Sequence, residues 1–134
     1  MRSLGWLSLL AALLILPGAG AAKRSEPPEV APVTHLGVRY AFPHFAVQNQ
    51  MGQNGGVVEA REERSRALLW RLKVYEVQHR PDLEGDAQDC FITAAWLEQG
   101  TLVVRNERAE IYEVDLARRT GHRRAADALP GKGG

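Results

Sequence analysis

The chain has 134 residues, with 17 Lys and Arg against 16 Asp and Glu and a formal net charge of +1. A balance this close to neutral leaves no electrostatic footprint for nucleic acid or an anionic membrane surface. A single cysteine, Cys90, excludes an internal disulfide, so stability has to come from packing.

The chain opens with Met1-Arg2-Ser3, followed by an apolar run from Leu4 to Leu16 broken only by Gly5 and Ser8. Pro17-Gly18 ends that run, and Ala19-Gly20-Ala21 supplies small residues at alternate positions. A positive start, a short apolar run and an A-x-A site are the marks of a cleavable export signal over residues 1–21. The run is shorter than the roughly 20 residues that span a bilayer. An uncleaved anchor is the alternative; after cleavage no stable membrane insertion is expected. Removing residues 1–21 takes away one charge, Arg2, and leaves acidic and basic side chains equal in number. The expected location is outside the cytoplasm, periplasmic or secreted.

Residues 22–33 include KRSEPPEVAPV, rich in Pro and charge, and read as a flexible linker. The folded domain is expected over 34–116 and its pattern is β. Leu36 to Phe42 places Val38, Tyr40 and Phe42 on one alternation. Gln48 to Gly56 is turn-rich, with the turn dipeptide Asn54-Gly55. Val57 to Arg61 resumes as a strand. Leu68 to Val77 alternates Trp70, Leu72 and Val74 against Arg71 and Lys73, the signature of a strand with one wet face. An acidic loop fills Pro81 to Asp89. Phe91 to Leu97, Leu102 to Val104 and Ile111 to Leu116 complete the set, the last with Tyr112, Val114 and Leu116 on one face. The expectation is mainly β: one small antiparallel sheet of about six strands with hairpins and disordered termini. From Ala117 to Gly134 the sequence ARRTGHRRAADALPGKGG reads as a mobile basic tail.

Two segments are alike. Gly55-Gly56-Val57-Val58-Glu59-Ala60-Arg61 is followed by Leu68-Leu69-Trp70-Arg71-Leu72, and Gly100-Thr101-Leu102-Val103-Val104 by Glu110-Ile111-Tyr112-Glu113-Val114-Asp115-Leu116. Together they resemble blade segments of the quinoprotein-type (PQQ-like) β-propeller repeats. Leu69-Trp70 stands where the second strand of a blade opens, and Arg119-Thr120-Gly121 where its turn falls. The family's Thr-Gly turn is replaced by Arg64-Ser65-Arg66-Ala67, and Ala109 stands where a Gly would close the turn after Asn106. A closed propeller needs about four blades or more. The resemblance therefore implies propeller-blade-like hairpins but no quinone site.

No catalytic, cofactor or metal residue is singled out. Asp82-Leu83-Glu84-Gly85-Asp86-Ala87-Gln88-Asp89 has alternating acids, but its Gly is misplaced for a calcium loop and no bidentate Glu follows at the required spacing. His35, His44, His79 and His122 show no paired metal-ligand spacing. Cys90 reads as a small buried hydrophobe; nucleophilic use would need a base such as His79 or His44. Glu59 and Glu113 fall in strand segments, where they would either face a groove or form the wet face of the sheet.

The expected function is that of an exported, non-enzymatic β protein that binds another protein through an open sheet edge or packs at the cell envelope. Ile111 to Leu116, unguarded by Lys or Pro, is expected either inside the sheet or paired with a partner chain. The alternative is a small exported hydrolase or ligand-binding enzyme with its site near His44, His79 and the 82–89 acidic loop. A close-packed His–carboxylate pair in a concave pocket would favour that alternative.

Overall fold

The computed structural model describes residues 25–82 and 88–125. The segment expected to be an export signal, residues 83–87 of the acidic loop and residues 126–134 of the basic tail lie outside these described residues. Eight strands and one short helix follow in order: β1 Val33–His35, β2 Val38–Ala41, α1 Ala46–Asn49, β3 Val57–Glu62, β4 Leu68–Lys73, β5 Ile92–Glu98, β6 Thr101–Asn106, β7 Ile111–Asp115 and β8 Thr120–Arg123.

The strands form two four-stranded antiparallel sheets, ordered β1-β2-β3-β4 and β5-β6-β7-β8. The mainly β, antiparallel class holds, but the single six-stranded sheet is corrected to two meanders. Two strands account for the higher count. Leu36 lies in a turn, not in a strand: Leu36 and Gly37 have φ of 49° and 77°, and they reverse the chain so that Val33 pairs with Tyr40. Positive φ at both central residues gives a hairpin turn whose twist matches the strands it joins. The second extra strand, β8, falls in the stretch expected as a mobile tail. Asp115 makes it possible, because one carboxylate oxygen accepts from the Ala117 and Arg118 amides and closes a turn that returns the chain along β7. Thr120-Gly121 is thus strand, not turn.

β7 lies between β6 and β8, so Ile111–Asp115 is an interior strand. The expected strand to Val77 stops early. The Tyr75 carbonyl and the Val77 amide bond to the Gln53 side chain instead of to a neighbouring strand.

Alternation places most apolar residues of each sheet on one face, although Val57 and Val103 are buried on the opposite alternation. Tyr40, Val58 and Ala60 of the first sheet, with Val74 just after it, meet Ile92, Leu102, Val104 and Val114 of the second in one buried cluster. β1 lies against β5 and β4 against β8. Trp70 packs on this cluster but is half-buried; its ring sits 5.9 Å from that of Tyr40, with the Arg119 guanidinium 5.9 Å over it. Residues 25–32, expected as flexible linker, form no strand but are held to the domain: His44 Nε2 donates to the Pro28 carbonyl at 3.0 Å and Val30 packs on the core.

Candidate functional site

In an up-and-down meander the connections alternate between two ends. One end of this domain carries the short turns at 36–37, 63–67, 99–100 and 116–119. The other carries the long connections, 42–56 and 74–91, with the 107–110 turn. The described residues of the expected enzyme alternative, His44, His79, Asp82, Gln88 and Asp89, fall in these long connections.

Buried amide side chains hold that end together. Asn49, fully buried, donates to the Gln53 carbonyl and accepts from the Met51 amide. Gln53 donates to the Gly55 and Tyr75 carbonyls. Asn54 accepts from the Ala46 amide and donates to Asp89 Oδ2 at 3.0 Å. Asn106 takes the Arg108 and Glu110 amides on its side-chain oxygen. Among the described residues no buried side-chain polar atom lacks a partner, as a stable core requires.

The structure separates the two expected histidines. The His44 ring is buried, bonded to Pro28 and edge-on to Phe91 at 5.1 Å. His79 donates from Nε2 to Asp89 Oδ1 at 2.9 Å; its side chain is 39% exposed and that of Asp89 only 5%. A His–carboxylate pair is therefore present, with Asn54 bonded to the second carboxylate oxygen. Asp89 also lines a groove of about 360 Å³ with Phe45 and Phe91. The arrangement orients an imidazole, but among the described residues no hydroxyl or thiol bonds to either ring. Cys90 is buried. Burial pushes its thiol pKa up, outweighing the nearby Arg108 charge, which is the opposite of what a nucleophilic thiol needs. Among the described residues no group of three or more His, Cys, Asp and Glu is placed to hold a metal ion.

The two strand glutamates are more than wet-face residues. Glu59 is buried between guanidiniums, accepting from Arg61 at 2.6 Å and Arg71 at 2.9 Å. Burial pushes its carboxyl pKa up, but the two arginine bonds more than offset that and hold it below the usual value. Glu113 accepts from Arg124 on one oxygen and from His122 on the other, and its carboxyl is likewise held low.

The sheet edges differ in how they are guarded. Each sheet ends in two outer strands: β1 and β4 in the first, β5 and β8 in the second. β1 has three residues and follows Pro32; β8 has four and runs into Arg123-Arg124. β4 carries Arg71 and Lys73. β5 is the longest at seven residues, Ile92-Thr93-Ala94-Ala95-Trp96-Leu97-Glu98, with no Pro, no cation and one acid at its very end. Edge strands that stay unpaired ordinarily carry Lys, Pro or a bulge. β5 has only a register shift between Ile92 and Ala94. The sequence signal for this edge was available in the uncharged run from Phe91 to Leu97, but its position at the sheet boundary depends on the 74–91 crossover.

The fold and these edges define a small β domain of two stacked meanders with one long edge strand that carries no Lys, Arg or Pro. Comparison with known proteins finds no family model that matches the chain and no curated protein with significant similarity to it.

Proposed function

We propose that this chain is an exported, non-enzymatic β domain that binds an extended segment of another protein along β5. The observation that carries this reading is the edge itself: seven residues that pair with β6 on one side and with no other strand among the described residues, with no Lys, Arg or Pro and only the register shift at Ile92–Ala94 to interrupt them. Adding a strand to such an edge draws affinity from main-chain bonds and specificity from alternate side-chain positions. Here the alternation offers Ala95 and Leu97 toward the core and Ala94 and Trp96 on the outer face. Export is supported by the charged start, apolar run and A-x-A site of residues 1–21. Among the described residues no helix is long and apolar enough to cross a membrane. The resemblance to propeller blades fits two stacked four-stranded meanders, since a blade is a sheet of that size.

The test is capture from cell envelopes with the processed chain and with Ala94→Lys, followed by hydrogen exchange on the captured complex. Added protection over 92–98, lost with the lysine variant, supports the reading. A partner that protects only other segments, or binds both forms alike, refutes it.

A second reading, a small exported hydrolase or ligand-binding enzyme, draws on the His79–Asp89 pair and its Asn54 support. His79→Ala distinguishes the two: it should abolish turnover in the enzyme reading and leave β5 docking intact in the first.

A further inference from the structure

A cleft of about 580 Å³ lies at the opposite end from the long connections, among the short turns. That volume falls within the roughly 300–1,000 Å³ of small-molecule sites. Its apolar wall joins both sheets, with Leu36, Val38 and Tyr40 from the first and Leu116 from the second. Two hairpin turns of the same geometry contribute to its lining. In one, Leu36 and Gly37 have φ of 49° and 77°; in the other, Gln99 and Gly100 have φ of 48° and 82°.

Leu36 is unusual on two counts. A leucine pays a steric cost in the left-handed region, where Asn or Gly sits more easily. It is also 88% exposed, the most exposed large apolar side chain among the described residues. Five other described non-glycine residues share a positive φ, but among the six only Leu36 lines this cleft.

The polar groups of the cleft include two carboxylates, the imidazoles of His35 and His122, and Thr101. No Lys or Arg lines it; Glu113 and Asp115 do. Glu113 is already engaged, with Arg124 on one oxygen and His122 on the other. Asp115 uses Oδ1 for the Ala117 and Arg118 amides, and its Oδ2 accepts no bond among the described residues. The cleft thus pairs an apolar wall with one carboxylate oxygen left open.

We propose that this cleft binds a small molecule joining an apolar body to a protonated amine, with the body against Leu36, Val38 and Leu116 and the ammonium on Asp115. Such a ligand meets the open Asp115 oxygen, whereas an apolar carboxylate would face two acids with no Lys or Arg beside them and with one of the two imidazoles, His122, already bonded to Glu113. The site is separate from β5, so it stands or falls independently of strand docking.

The test uses n-hexylammonium, hexanol and hexanoate as probes, titrated into the intact protein at neutral pH and followed by amide chemical shifts. Hexylammonium should move the resonances of residues 35–38, 100–101 and 115–117 and bind about tenfold or more tighter than hexanol, the worth of one charge-assisted bond. Hexanoate should be weaker still. The companion variant is Leu36→Asn, which suits the left-handed turn and keeps the fold while removing the apolar lip. It should weaken hexylammonium severalfold with an unchanged or higher melting midpoint. Equal binding of ammonium and carboxylate, shifts elsewhere on the molecule, or undiminished binding by Leu36→Asn would each overturn the proposal.

Discussion

Gly55 is the tightest point in the packing of the long connections, and replacing it with alanine separates two costs that usually come together. A Cβ there would lie 2.2 Å from the Cys90 carbonyl oxygen and 2.8 Å from its carbon. Ordinary C···O contacts begin at about 3.3 Å, so one backbone must retreat by about 1 Å. Both are pinned. The Gly55 amide donates to the His44 carbonyl at 2.7 Å, and the Cys90 carbonyl accepts the Tyr75 hydroxyl at 2.7 Å. Retreat therefore strains or breaks one of these bonds. Overpacking of this kind costs about 1–3 kcal/mol, and the positive φ of 88° adds about 1–2 kcal/mol for any residue with a Cβ. The expected total for Gly55→Ala is about 2–5 kcal/mol, a large part of the roughly 5–15 kcal/mol that holds a domain together. Gly52→Ala is the control: its φ is 77°, but a Cβ there meets nothing within 4 Å, so only the conformational cost applies. Urea denaturation reads the difference as a shift in midpoint at constant slope. If the two variants fall within about 0.5 kcal/mol of each other, the close approach of the 42–56 and 88–91 segments is not as described.

Glu59→Gln should remove a pH dependence. The folded carboxyl has a lowered pKa, so its stabilisation is present above the unfolded value of about 4.3 and is lost as pH falls through the folded value. Wild-type stability should decline across that acid range more steeply than the variant's in denaturation series at stepped pH. Ala109, at φ 61°, occupies the left-handed position where the turn after Asn106 favours glycine. Ala109→Gly should therefore raise stability by up to about 1 kcal/mol, read from the thermal midpoint, because relief of the strain exceeds the entropy cost of glycine. Cys90 should react slowly with a thiol reagent in the native protein and rapidly in denaturant, since it is buried and its thiol pKa is raised. Fast native labelling would contradict its packing.

Side-chain facing was legible in the sequence. Val38, Tyr40 and Phe42, then Trp70, Leu72 and Val74, then Tyr112, Val114 and Leu116 share faces as their alternation predicts, and these residues build or pack on the core. Facing is local, because successive side chains of a strand point to opposite sides whatever the strand pairs with. Which strands pair is not local. β1 and β8 are short, lie beside Pro-rich or basic stretches, and become strands only because β2 and β7 offer them hydrogen-bonding edges across turns built on Gly37 and Asp115. The division into two sheets depends on the 74–91 connection leaving the first sheet after Lys73, where Gln53, 22 residues earlier than Tyr75, takes over the backbone bonds. The candidate sites were hidden for the same reason. His79 meets Asp89 across a ten-residue loop, Glu59 is enclosed by an arginine from the neighbouring strand, and the 580 Å³ cleft joins hairpins from opposite sheets. Periodicity records which way a side chain points; only chain folding over long sequence separations decides what it points at.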